Sequence, residues 1–209
     1  MNDIVHPLWI DPWPLILASA SGSRARMLQA AGIPLEIVPA QIDERAAEDI
    51  MLAADTPPDA IAAGLAALKA QAVSEDFPGR LVLGADQTLA VGSERLHKPA
   101  GLREARAQLL ALRDREHRLH SAAALVMDGE VLESFTGSVK LVMRPFSEEF
   151  LDRYLAYAGE DATKSVGGYQ LEGPGVQLFD LVEADHFTVL GLPLFPVLQS
   201  LRRRGLLLE

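Results

Sequence analysis

The sequence contains no cysteine. That absence excludes a disulfide framework, a thiolate zinc site, a thiol nucleophile and an iron–sulfur cluster, and it fits a reducing compartment. Basic residues are in deficit, with 19 Lys+Arg against 29 Asp+Glu, a net charge of −10 and a pI near 5.0. Such a chain offers no broad basic face, so neither nucleic acid nor an anionic membrane is an expected partner. A small anionic ligand needs only a few local cations and stays open. No run approaches the ~18 apolar residues that a membrane-spanning helix requires. Residues 1–14 lack a basic opening and a long apolar stretch and are broken by Pro7, Pro12 and Pro14, so they do not read as a signal peptide. The expectation is a soluble, cytoplasmic protein. Glycine-rich Walker and dinucleotide fingerprints are missing as well.

Aromatic residues make up only 6% of the chain, and both tryptophans, Trp9 and Trp13, fall in the opening stretch. Residues 1–14 are expected to form an arm that covers a sheet edge or a partner subunit. A domain over residues 15–205 follows. The 209 residues, 49% of them hydrophobic, with a mean hydropathy of +0.12, are ample for a core and argue against disorder.

Periodicity predicts the elements. Leu15-Ile16-Leu17-Ala18 is a short buried strand. Residues 24–31 read as a helix stopped at Gly32, with Pro34 beyond. A second strand is predicted over 35–38, and 46–56 is ambiguous. Thr56-Pro57-Pro58-Asp59 opens a helix carrying Ile61, Leu65, Leu68 and Ala72 at helical spacing, with Lys69 at the border of that face. Leu81-Val82-Leu83 is a strand running into Gly84-Ala85-Asp86-Gln87. Helices are predicted over 102–112, 148–158 and 192–203. Asp128-Gly129 joins strands over 119–127 and 131–144, and 176–182 is strand-like. Early alternation of strands and helices with a central hairpin implies an α/β protein with a mixed sheet.

Four places combine a strand end, a turn and polar groups. Ser19-Ala20-Ser21-Gly22-Ser23-Arg24 joins free helix-start amides, hydroxyls and a guanidinium, which suits a phosphate; it also reads as an ordinary Ser/Gly helix cap. Asp43-Glu44 gains meaning only if a further carboxylate approaches to bind a divalent cation. Asp86 just after an apolar strand would sit at the carboxyl end of the sheet, where α/β proteins bind ligands, or would cap a helix. Lys98 is held extended by Pro99. The five histidines, His6, His97, His117, His120 and His186, form no metal set. His117 and His120, three apart in a strand, point to opposite faces.

In order and context these pieces resemble the Maf family of nucleotide pyrophosphatases, also called septum formation proteins. Leu17 to Arg24 resembles the opening signature, with Gly22 at its usual proline and Ser23 where many members carry a first arginine. Ile42-Asp43-Glu44, Leu68-Lys69-Ala70, Gly84-Ala85-Asp86 followed by Lys98-Pro99, Gly167-Gly168-Tyr169 with Glu172-Gly173, and Val189 to Leu194 resemble the remaining motifs. Gln87 and Glu172 stand where the thymidine- and uridine-triphosphate members carry threonine and glutamine. In this the chain is similar to the branch associated with 7-methyl-GTP, although Ser23 matches neither branch.

The resemblance implies a mixed sheet flanked by helices, in two lobes with a nucleotide cleft between them. It implies hydrolysis of the α–β phosphoanhydride of a nucleoside triphosphate, an activity of the house-cleaning type, and a homodimer. In that frame Ser19, Ser21 and Arg24, with Lys69 and Lys98, bind phosphate oxygens. Glu44 and Asp86 hold Mg²⁺ or Mn²⁺, and Asp86 also orients or deprotonates the attacking water. Oxygen ligands without cysteine or a histidine cluster favour these hard cations over zinc. Ser23, Gln87 and Glu172 form the base-selecting group; a carboxylate can accept from guanine N1–H and N2–H₂, whereas a uracil-like base offers one such donor. The competing reading is a nucleotide-binding regulator of cell division with little turnover.

Overall fold

The computed structural model describes residues 7–92, 94–183 and 185–208; His6 and the rest of the first six residues lie outside these. Strands β1 (Leu15–Ala18), β2 (Leu35–Ile37), β3 (Val82–Val91), β4 (Glu94–Leu96), β5 (Glu116–Met127), β6 (Glu130–Met143) and β7 (Phe179–Glu183) form one mixed sheet among the described residues. Its hydrogen-bonded order is β2-β1-β3-β5-β6-β7, with β4 on β3. β1 pairs parallel with both β2 and β3, whereas β3–β4 and β6–β7 are antiparallel. The mixed α/β sheet expected from the alternation of elements is therefore present.

The chain divides into two compact units. The first comprises residues 1–87, 121–137 and 190–209. Here β1 is apolar throughout and buried throughout, as a strand covered on both faces must be. Helices α1 (Gly22–Ala30), α2 (Glu44–Ala53) and α3 (Pro58–Ser74) follow in turn. Ser21 caps α1, and Gly32, at φ +79°, turns the chain after it. Pro57 and Pro58 start α3, where a missing N–H costs nothing. The abundant alanine has a packing role: Ala62 and Ala66 of α3 cluster with Ala122 and Ala124 of β5, so the helix lies close on the sheet.

α2 fills most of the segment whose type the pattern leaves undecided. Its only buried residue is Glu48, and apolar Ile50 and Leu52 are exposed, so its apolar side does not face the core. α7 (Leu194–Arg203) closes the unit, with Leu194, Val197 and Leu201 buried. Within the arm, residues 8–13 pack on other parts of this chain. Trp9 bridges Leu207, Leu208 N donates to Leu8 O at 3.0 Å, and the Arg80 guanidinium lies 5.2 Å from the Trp13 ring centroid.

The second unit comprises residues 88–120 and 138–189. Its core gathers Leu89, Leu109, Leu112, Leu141, Met143, Leu151 and Leu178. Helices α4 (Leu102–Leu112) and α5 (Glu148–Ala158) coincide with their predicted ranges. The segment 176–182 differs: a 3₁₀ turn, Pro174–Leu178, precedes β7, because Pro174 and Gly175 favour a turn over an extended start. Between β7 and α7 lies the short helix α6 (His186–Val189).

His117 is buried beside Tyr169, with Nε2 2.8 Å from the Tyr169 hydroxyl. Burial pulls the imidazole down to about 4 and pushes the Tyr169 phenol up. Tyr154 Oη donates to Gly168 O at 3.1 Å and Ser165 Oγ to Tyr169 O, so three side chains pin the glycine-rich turn. His120, on the opposite face of β5, pairs its Nδ1 with Ser138 Oγ at 2.7 Å. No helix among the described residues is long and apolar enough to cross a membrane.

Candidate active site

Asp86 does not follow the end of a strand, and it caps no helix. β3 runs ten residues, from Val82 to Val91, because Thr88-Leu89-Ala90-Val91 continues the extended pattern past Gly84. Its parallel partner stops sooner, at the Ala18–Gly84 pair. Asp86 thus lies in mid-strand, just beyond the carboxyl end of β1, and is almost fully buried.

A buried carboxylate requires a partner, and Lys69 supplies it. Lys69 Nζ lies 2.7 Å from Asp86 Oδ1 and 2.7 Å from Glu44 Oε2. The lysine does not border α3's buried face but belongs to it, with 10% of its side chain exposed; Asp86 keeps 11% and Glu44 52%. The neighbouring carboxylates of residues 43 and 44 divide their work. Asp43 Oδ1 accepts from Ala46 N at 3.0 Å and caps α2, which aims Glu44 at the lysine.

The geometry depends on a close approach. A Cβ at Gly84 would lie 2.0 Å from Ala66 O and 2.9 Å from Ala70 N, so only glycine lets α3 settle on β3 here. The same approach brings Lys69, next to Ala70, against Asp86, two residues beyond Gly84.

Arg24 lies buried nearby. Its Nη1 donates to Ser19 Oγ at 3.1 Å and to Ala85 O at 2.9 Å, and its Nε to Gly191 O at 2.8 Å. It therefore ties the β1–α1 turn, β3 and the turn before α7 together. Burial lowers its pKa, while the negative charges of Asp86 and Glu44 pull the other way. Ser21 Oγ accepts from Arg24 N at 3.4 Å, and Ser21 N donates to Ser19 Oγ at 3.3 Å. The helix-cap reading of this turn is thus realised, and it also places Ser19 against the guanidinium. Ser23, one residue ahead of Arg24 on α1, accepts from Arg26 Nη2 at 3.1 Å.

Gln87 Nε2 donates to Ser121 Oγ at 3.0 Å. A Cβ at Gly191 would fall 3.4 Å from Arg24 Nε and 3.7 Å from Gln87 Oε1, so these groups share one neighbourhood. Ser121 escapes sequence reasoning, and the signal for it is faint. His117, Leu119 and Ser121 alternate along β5 and all are buried, so two polar residues fall on a buried phase.

The first unit therefore collects Ser19, Ser21, Ser23, Arg24, Glu44, Lys69, Asp86 and Gln87. Lys98 and Glu172 belong to the second unit. Both are exposed there: Lys98 follows β4, where Gln108 Nε2 donates to His97 O at 2.9 Å, and Glu172 follows the pinned glycine-rich turn.

Among the described residues no three of His, Asp and Glu converge as a ready metal-binding group. A pair of oxygen donors facing one cation is nonetheless what Mg²⁺ or Mn²⁺ takes from protein when substrate phosphates and water complete its shell. The Lys69 ammonium, 2.7 Å from both oxygens, is a stand-in cation showing that the pair converges on one positive charge.

Comparison with known proteins identifies the family. A family model described as Maf-like protein matches residues 14–204. A nucleoside triphosphate pyrophosphatase of Rhodopseudomonas palustris is 52% identical over 200 residues, spanning 96% of this chain and 98% of that protein. A 7-methyl-GTP pyrophosphatase of Rhizobium etli is 49% identical over 191 residues, 91% of this chain and 96% of that protein. Among solved structures, a HAM1 protein from Coxiella burnetii is similar at 18% identity and a TM-score of 0.43, over 62% of this chain and 72% of that one.

Proposed function

The chain belongs to the Maf family, and from that premise we propose that it is a metal-dependent nucleoside triphosphate pyrophosphatase. It hydrolyses the α–β phosphoanhydride to a nucleoside monophosphate and pyrophosphate. The observation that carries the proposal is the Glu44–Lys69–Asp86 cluster beside the buried Arg24. A buried lysine between two carboxylates is a site for opposite charges to exchange, which triphosphate hydrolysis demands.

Glu44 and Asp86 hold the divalent cation, Mg²⁺ or Mn²⁺. When bound, that ion neutralises the triphosphate and the charge that builds on it as the bond breaks. Asp86 orients water towards the α-phosphorus and takes its proton. The water oxygen bonds to that phosphorus, and pyrophosphate leaves with the bridging oxygen and the electron pair of the broken bond. Lys69, Lys98 and Arg24 with Ser19 and Ser21 hold phosphate oxygens. Arg24 contributes chiefly by fixing the turn, since its three bonds are internal. Gln87, Glu172 and Ser23 select the base. Glu172 as a hydrogen-bond acceptor favours a guanine-type edge, such as that of 7-methyl-GTP, over a pyrimidine. A homodimer in the cytoplasm is part of the same proposal and rests on the family resemblance.

The test is a panel of nucleoside triphosphates with added inorganic pyrophosphatase, read as phosphate release. Wild-type protein should turn over, and Asp86→Asn should lose about 10²–10⁴-fold while melting as a folded protein. Undiminished turnover in Asp86→Asn would remove the catalytic assignment. Tight nucleotide binding without product from the wild type would favour the regulator.

A further inference from the structure

We infer that Lys69 holds the place of the divalent cation in the nucleotide-free protein, so that metal and triphosphate enter together and metal alone binds weakly. The inference rests on the reading of Glu44 and Asp86 as the metal pair. It goes beyond that reading by giving Lys69 a second task.

The argument is one of space and charge. Lys69 Nζ sits 2.7 Å from one oxygen of each carboxylate. A Mg²⁺-sized ion bridging the same oxygens would stand ~2.1 Å from each. Ion and ammonium cannot both lie against the two oxygens without a dication and a cation in near contact. Nor does the lysine have another carboxylate to move to among the ion pairs of the described residues; it makes these two only. With 10% of its side chain exposed, it cannot retreat into solvent without uncovering its methylene stem.

A triphosphate changes this balance. Its oxygens offer the ammonium a new set of negative partners, so that the lysine can leave the carboxylates for other anions and not for water. Glu44 and Asp86 are then left without their counter-charge and take the metal. Arg24 Nε and Nη1 are committed to Gly191, Ser19 and Ala85, so the guanidinium is held in place and reaches a phosphate only through Nη2. Coupling of this kind is reciprocal: whatever the triphosphate adds to metal affinity, the metal adds to triphosphate affinity.

The test measures Mn²⁺ alone, with no nucleotide, binding to the full chain by the loss of the free-ion paramagnetic resonance signal. Lys69→Met should bind Mn²⁺ about tenfold more tightly than wild type, or better, because the competing charge is gone. Lys69→Arg keeps the charge and should stay within about threefold of wild type. Lys69→Gln repeats the neutral substitution should the methionine variant not melt cooperatively. Neutral variants that bind Mn²⁺ no more tightly than wild type would overturn the inference. The double variant Lys69→Met with Asp86→Asn separates the two layers. If it keeps the gained affinity, the reading of Asp86 as a ligand fails. If Asp86→Asn alone weakens Mn²⁺ binding while neutral Lys69 variants gain nothing, that reading stands and the Lys69 inference fails.

Discussion

Gly84→Ala is the perturbation that probes the scaffold of the site. The new Cβ would meet Ala66 O at 2.0 Å and both Ala70 Cβ and Ala70 N at 2.9 Å. None of these atoms can rotate away. Restoring ordinary contact at 3.4 Å from 2.0 Å requires α3 and β3 to part by 1.4 Å (3.4 minus 2.0). Overpacking of this kind costs about 1–3 kcal/mol, which for a chain of this size lowers Tm by roughly 2–12 °C. The same parting stretches the 2.7 Å Lys69–Asp86 pair, since Lys69 rides on α3 and Asp86 on β3. A displacement near 1 Å at a reacting centre costs on the order of 100-fold in rate. The assay pairs a thermal melt with pyrophosphate release. Gly173→Ala sets the baseline for the melt, since its Cβ would meet nothing nearer than 3.8 Å. A Gly84→Ala protein with wild-type Tm and wild-type turnover would refute the packing argument.

Two further predictions follow from the second unit. His117 is depressed from 6.5 to about 4 by burial, so the unfolded chain binds the extra proton between those values. Its stabilising contribution is complete above the unfolded value and is lost as pH falls towards the folded one. Between pH 7 and about 4.5, wild-type stability should therefore drop about 2 kcal/mol further than that of His117→Gln; parallel denaturation profiles would contradict this. Glu172→Gln should shift the ratio of kcat/KM towards pyrimidine triphosphates, and an unchanged ratio would remove Glu172 from base selection.

Much of the fold is legible where one pattern dominates. α4 and α5 have clear periodicity and their bounds are read to the residue. Asp128-Gly129 announces the β5–β6 turn, and both residues adopt the positive φ that such a turn needs, at 52° and 77°. α2 is obscure because it buries almost nothing, and its apolar Ile50 and Leu52 face away from the core that such a pattern would point to. β3 is read too short because its second half begins with polar Asp86-Gln87, whose polarity answers Lys69 and Ser121 and does not mark a turn. Motif order names candidate residues in the first unit, but not their pairing. That Lys69 is buried between Glu44 and Asp86 follows from the Gly84–Ala66 approach, a contact between residues 18 apart that no local pattern encodes. Ser121 is missed for the same reason: its role is defined by Gln87 on a neighbouring strand.

The central claim is attack of water at the α-phosphorus, and hydrolysis in ¹⁸O-labelled water tests it most directly. The account predicts one labelled oxygen in the nucleoside monophosphate, unlabelled pyrophosphate, and loss of both products in Asp86→Asn. Label in the pyrophosphate, or release of orthophosphate and nucleoside diphosphate, would contradict it.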